Sequence, residues 1–157
     1  MFENLYHFIY VFLISMVPVI ELRGAIPVGA TLGLPWYESY IAAFLGNLLP
    51  VPFILLFIRH IISWMERRGI FLWFVRFVNE KVRKNTHKVL KYARWGLLVF
   101  VAVPLPGTGA WTGAMIAAFL DMRMRTALSA ICGGVAVAGC IMTAVSYGVA
   151  GFLGYLI

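Results

Sequence analysis

From Thr126 to Ile157 the chain carries no charged residue. A folded protein in water cannot easily hide so long a stretch, whereas a bilayer needs only about 20 apolar residues for one helical crossing. This segment is therefore expected to include a complete span. The rest of the chain leans the same way. It is 62% hydrophobic and 12% charged, where a soluble domain carries about 25% charged residues. One core would fit 157 residues, but so few charges cannot make a water-facing surface. The expected fold class is all-α integral membrane, since helices satisfy their own backbone groups in lipid.

The charge that exists is clustered. Lys and Arg number 13 against 6 Asp and Glu, for a formal net charge of +7. Nine of the basic residues fall between Arg67 and Arg94: Arg67, Arg68, Arg76, Lys81, Arg83, Lys84, Lys88, Lys91 and Arg94. A basic stretch between apolar segments is what the positive-inside rule expects of a cytoplasmic connection, and it attracts anionic lipid head groups. Within Ile70–Arg94, Val78, Val82, Val89 and Ala93 can share one helical face and Arg76, Glu80, Lys84, Lys88 and Lys91 another. That pattern predicts a basic amphipathic helix on the membrane surface. No recognition motif accompanies the charge, so nucleic acid is not an expected partner.

The remaining segments divide by length. Phe8–Ile20 is apolar but too short to span. It runs into Glu21-Leu-Arg-Gly-Ala-Ile-Pro-Val-Gly29, and a second short apolar run ends at Leu34. This order predicts a re-entrant hairpin, whose non-helical tip must be lined by protein or a water-filled cavity. Trp36–Ile58 is long enough to cross, with Trp36, Tyr37 and Tyr40 at the interface and a break or kink at Pro50 and Pro52. Asn47 is expected to bond a carbonyl freed there. Leu97–Val103, the tip Pro104-Leu-Pro-Gly-Thr-Gly109, and Ala110–Leu120 predict a second hairpin. Glu38, Asp121, Arg123 and Arg125 are read as interfacial anchors or caps, and Arg59 and His60 as residues of the inner interface.

The chain thus reads as one membrane domain, 1–157. Its first half, 1–64, holds a hairpin at about 8–34. A basic cytoplasmic connector covers 65–95. The second half, 96–157, holds a hairpin at about 96–120. If the first span ends inside and the second begins inside, the halves are inverted, the arrangement that places transporter sites at mid-membrane. Met1–Val17 lacks a basic leader and a small-x-small cleavage site and is read as retained. Gly133, Gly134, Gly139, Gly148, Gly151 and Gly154 are read as close-packing positions. Cys132 and Cys140 are too far apart on one helix for a disulfide, and are read as small packing residues. No metal set and no cofactor motif is expected.

Two clusters are candidates for function. Glu21 and Arg23 are costly inside a membrane, at roughly 2.5–3.5 kcal/mol each on insertion scales. They are read either as a structural ion pair or interfacial loop, or as an anion clamp (Arg23) with a proton carrier or positioning group (Glu21). In the second tip, Gly107 and Gly109 let backbone amides approach a ligand, and Thr108 adds a hydroxyl. Enzyme chemistry lacks a constellation: His7, His60 and His87 are scattered and no carboxylates are paired.

Glu21-Leu-Arg-Gly-Ala-Ile-Pro-Val-Gly29 and Val103-Pro-Leu-Pro-Gly-Thr-Gly-Ala-Trp111 resemble the two signature segments of the putative small multi-drug export protein family of bacteria and archaea, over nearly the whole chain. That family is distantly similar to the DedA membrane proteins, which translocate polyprenyl-phosphate carriers. The resemblance implies a prokaryotic, multi-pass protein of the cytoplasmic membrane, and points to Glu21, Arg23, Pro27, Pro104, Pro106 and Gly107. With Gly24, Thr108 and Gly109 these form the expected substrate site. The expected function is a transporter, no enzyme, moving an anionic lipid-linked phosphate such as polyprenyl phosphate with proton coupling. The alternatives are efflux of cationic drugs and a non-transport membrane scaffold. Membrane lipids are the expected surroundings, and a homodimer would thicken the thin wall of such a cavity.

Overall fold

The structure, a computed structural model, describes residues 2–68, 86–105 and 107–156. Among these it is helical and has no strand: α1 (Phe2–Ser15), α2 (Glu21–Thr31), α3 (Trp36–Leu48), α4 (Val51–Arg67), α5 (Thr86–Ala102), α6 (Ala110–Phe119) and α7 (Met124–Leu156). Among the described residues, two runs are long and apolar enough to cross a membrane, Trp36–Met65, made of α3 and α4, and Met124–Val149 within α7. The 14, 11 and 10 residues of α1, α2 and α6 rise only ~1.5 Å each. They therefore fall short of the ~30 Å hydrocarbon core.

The expected break lies between α3 and α4. Pro50 has no N–H for the Gly46 carbonyl and Pro52 none for that of Leu48. The helix restarts with the Ile54 amide on the Pro50 carbonyl at 3.0 Å. Asn47, one turn earlier, is fully buried. Contrary to expectation, neither its amide nitrogen nor its oxygen has a partner among the described residues.

The ends of α2 and α6 are built alike. Gly33 (φ 74°) and Asp121 (φ 47°) adopt the left-handed conformation just past each helix. The Leu34 amide then reaches the Gly29 carbonyl, and the Met122 amide the Ala117 carbonyl, both at 3.0 Å. This is the Schellman arrangement, which satisfies orphan carbonyls and tucks the following apolar residue inward. Leu34 and Met122 are accordingly buried. The Arg59 guanidinium of α4 donates to the Met122 carbonyl at the second of these ends, so Arg59 serves a helix terminus.

Close helix approaches also recur. A Cβ on Gly46 would strike the Phe12 carbonyl and Ser15 of α1, and one on Gly134 the Leu98 carbonyl and Val101 of α5. Small residues at crossings are what lets membrane helices pack, since lipid supplies no hydrophobic drive between them. Buried Ala25, Ala42, Ala43, Ala114, Ala117, Ala130 and Ala138 continue that pattern.

Directions follow from the contacts. Leu22 lies against Gly139 and the Leu34 carbonyl accepts from the Tyr147 hydroxyl at 2.8 Å, so α2 runs the same way as α7. The Tyr147 hydroxyl also lies 2.6 Å from Ser39, and from there α3 returns against α7. α6, joined to α7 by a short turn, runs against it too.

Several expectations need correction. Glu21–Gly29, expected as the non-helical tip of the first hairpin, is the body of α2 (Glu21–Thr31), and the turn lies before it at 16–20. Pro27 removes only one amide donor and leaves the helix intact. The arm entering the second hairpin is not confined to Leu97–Val103, because α5 starts at Thr86 and carries the end of the connector into the bundle. Cys132 and Cys140 are exposed free thiols rather than packing residues. Among the described residues, Gly148 has nothing near it for a Cβ to meet. Most of the basic amphipathic segment, 69–85, lies outside the described residues, as do Pro106 and the surroundings of Gly151 and Gly154.

Candidate functional site

Five of the nine expected site residues meet where the two hairpin turns face each other. α1 ends at Ser15, and the chain turns through 16–20 into α2. The Glu21 amide closes this turn on the Val17 carbonyl at 2.9 Å. Glu21 itself has φ 49°, a left-handed conformation rare outside Gly, Asn and Asp. In the second turn Pro104 biases Val103 away from helix, and α5 stops at Ala102. Gly107 (φ 87°) then takes the left-handed conformation, with no described residue near enough for a Cβ to meet. Gly109 precedes α6, and its amide is held by the Thr112 hydroxyl at 2.8 Å.

The Arg23 guanidinium bridges the turns. Its Nη1 donates to the Glu21 carboxylate at 2.8 Å. Its Nη2 faces four oxygens at the end of α5 and in the second turn: the carbonyls of Val101 (3.3 Å), Val103 (3.0 Å) and Thr108, and the Thr108 hydroxyl (3.1 Å). Two hydrogens on Nη2 cannot serve four acceptors well, so this side is richer in acceptors than in donors. Nε has no partner among the described residues. The Arg23 and Glu21 side chains are only 15% and 6% exposed.

Trp111 completes the stitching from the other side. Its amide donates to Glu21 Oε1 at 3.3 Å and its indole to the Met16 carbonyl at 3.2 Å. The pair is thereby matched to two helix dipoles. The carboxylate sits at the amide end of α6, and the guanidinium at the carbonyl end of α5. Each charge faces the partial charge of opposite sign.

A small pocket of about 50 Å³ opens beside the pair, lined by Pro18, Val19, Glu21, Arg23, Gly107, Gly109 and Thr112. Ligand pockets usually hold roughly 300–1,000 Å³. This one has room for only a few waters beside the ion pair.

The other expected site residues stand further off. Gly24 packs beneath the Ile20 side chain. Pro27, inside α2, has no N–H to give the Arg23 carbonyl. Pro104 shapes the turn without reaching the pocket. Thr112, Trp111, Pro18 and Val19 were missed by sequence reasoning. Thr112 alone left a signal, a hydroxyl three residues after the glycine that precedes a helix, which is a capping position. Among the described residues no group of three or more His, Cys, Asp or Glu could hold a metal ion.

The chain belongs to the putative small multi-drug export protein family, whose model matches residues 21–141. That match begins at Glu21 and contains both turns' site residues from there to Thr112. No curated protein and no solved structure matches the chain.

Proposed function

We propose that this membrane protein is a multi-pass exporter that carries a small substrate through the site between its two turns. We further propose that the turns lie at mid-membrane as re-entrant tips of two inverted halves, in a prokaryotic cytoplasmic membrane. Support for the depth comes from α7: Leu22, just after the first turn, packs on Gly139 and Val101, just before the second, on Gly134, both near the middle of Met124–Val149. Support for the inversion comes from α2 and α6, which end in the same cap but run in opposite directions along α7.

One observation carries the substrate preference. Five oxygen acceptors converge on a single cationic group, and the only formal charge among them is the Glu21 carboxylate. Such a site favours cations, and we propose organic cations as the exported class. A second reading, an anionic lipid-linked phosphate as in DedA-type proteins, rests on Arg23 Nε, the donor with no described partner.

The test is transport in proteoliposomes under a proton gradient. One arm follows an aromatic organic cation, the other a fluorescent short-chain polyprenyl phosphate. Cation movement by the wild type, lost in a folded Glu21→Gln variant, is expected. Movement of the lipid phosphate alone selects the second reading. A folded wild type that moves neither overturns the transport proposal and returns the scaffold alternative.

A further inference from the structure

We infer that Arg23 is a tethered occupant of the substrate's own site, and that the site selects cations bearing planar N–H donors, such as guanidinium or amidinium groups. This rests on the cation-export reading above and names its substrate class.

The argument starts from what the cage would be without Arg23. Its walls are the Glu21 carboxylate, the carbonyls of Val101, Val103 and Thr108, and the Thr108 hydroxyl. All lie within hydrogen-bonding reach of one guanidinium's two terminal nitrogens. Three of these five oxygens are backbone carbonyls, whose positions are set by the chain and not by a side-chain rotamer. A planar cation with several N–H groups can satisfy a carboxylate on one edge and carbonyls on the other. A quaternary ammonium offers charge but no N–H, and cannot replace the bonds that Arg23 gives the Val101 and Thr108 carbonyls, whereas the Val103 carbonyl keeps the Leu105 amide and the Thr108 hydroxyl.

The pocket of about 50 Å³ beside the pair is too small for such a ligand while Arg23 is in place. A substrate must therefore displace Arg23, whose covalent tether gives it a high local concentration as a competitor. Arg23 Nε has no partner among the described residues, so not all of its donors are used in this seat. Binding and release of substrate would thus be coupled to opening of the contact between the two turns. When Arg23 leaves, the carbonyls of the second turn lose their link to Glu21.

The test uses the full-length protein in detergent, with phenylguanidinium and trimethylphenylammonium as probes of equal charge. Binding is read by calorimetry and by ligand-induced thermal stabilisation. The wild type is expected to prefer phenylguanidinium. Arg23→Ala should bind it at least tenfold more tightly than the wild type, with little gain for trimethylphenylammonium, and a further Glu21→Gln change should remove that gain. Equal gains for both probes, or no gain, overturn the inference. Should Arg23→Ala not fold, Arg23→Lys serves, with a smaller gain of the same selectivity expected. Equal wild-type affinities for the two probes would then overturn the inference. Failure of export with the selective gain intact would sink the transport reading alone. Export of both cations without any N–H preference would sink only this inference.

Discussion

The Glu21 carboxylate lies directly against the α-carbon of Gly109, so that a Cβ there would overlap the carboxyl group itself. The Gly109 backbone (φ −118°, ψ −168°) is extended and open to any residue. Its glycine is thus required by Glu21 and not by the chain's local conformation. Gly109→Ala is expected to expel the carboxylate and cost about 1–3 kcal/mol by overpacking. Thermal unfolding in detergent checks this. In a Glu21→Ala background the same change should cost far less, because the two sites share one contact. Additive losses would contradict the packing account.

Breaking the ion pair from either side should have unequal effects. Arg23→Ala leaves a nearly buried carboxylate without its cation, and such losses run to about 3–5 kcal/mol. Glu21→Gln leaves Arg23 with its four carbonyl and hydroxyl acceptors, so it should be milder. A denaturation series on both variants and the double mutant measures this. Arg23→Ala proving the milder change would show that the second turn does not hold the guanidinium.

The two crossing glycines should be intolerant where Gly148 is not. Gly46→Ala drives a Cβ into the Phe12 carbonyl, and Gly134→Ala meets the Leu98 carbonyl at 2.8 Å. Backbone cannot step aside cheaply, and each change should lower stability by about 1–3 kcal/mol. Gly148 meets no described residue on α7. Replacing it with Ala should be neutral, or stabilising by up to ~1 kcal/mol through helix propensity. Melting temperatures of the three variants decide it.

Depth can be read at the turns. Val19 is 91% exposed in the first and Leu105 56% in the second. Spin labels placed singly at these positions, with Cys132 and Cys140 replaced by Ser, should both report the oxygen-rich, water-poor middle of the bilayer. A label at either position that reads as interfacial would show that its hairpin does not re-enter.

The Tyr147 hydroxyl ties α7 to both Ser39 and the Leu34 carbonyl. Tyr147→Phe should cost about 0.6–2 kcal/mol, the range for hydrogen bonds between membrane helices. Ligand selectivity at the Arg23 cage should be unchanged. A shift in selectivity would mean that the α3–α7 seam and the cage move together.

Much of this was legible in the residues. Charge-free Thr126–Ile157 could only be a membrane-length helix, Pro50 could only interrupt the preceding donor pattern, and a charge pair amid Pro and Gly had to mark something other than a plain span. Asn47 went the other way. Proximity to Pro50 suggested a bond to a freed carbonyl, but the side chain's direction on α3 decides its neighbours, and none of the described ones reaches it. The exposed cysteines and Gly148 erred for the same reason: composition names a small residue without saying which face of α7 it occupies.

By itself, the sequence determined the apolar surroundings and the helix breaks at Pro50 and Pro104, because these depend on hydropathy and on missing amide donors, both local properties. It did not show that Glu21–Gly29, expected as a non-helical tip, lies within α2. Only the tertiary structure decided what Arg23 does. Its partners Val101, Val103 and Thr108 lie about 80 residues away in the chain and present mainly backbone oxygens. Backbone oxygens are common to every residue, so no pattern of side chains could announce which of them would gather around one guanidinium.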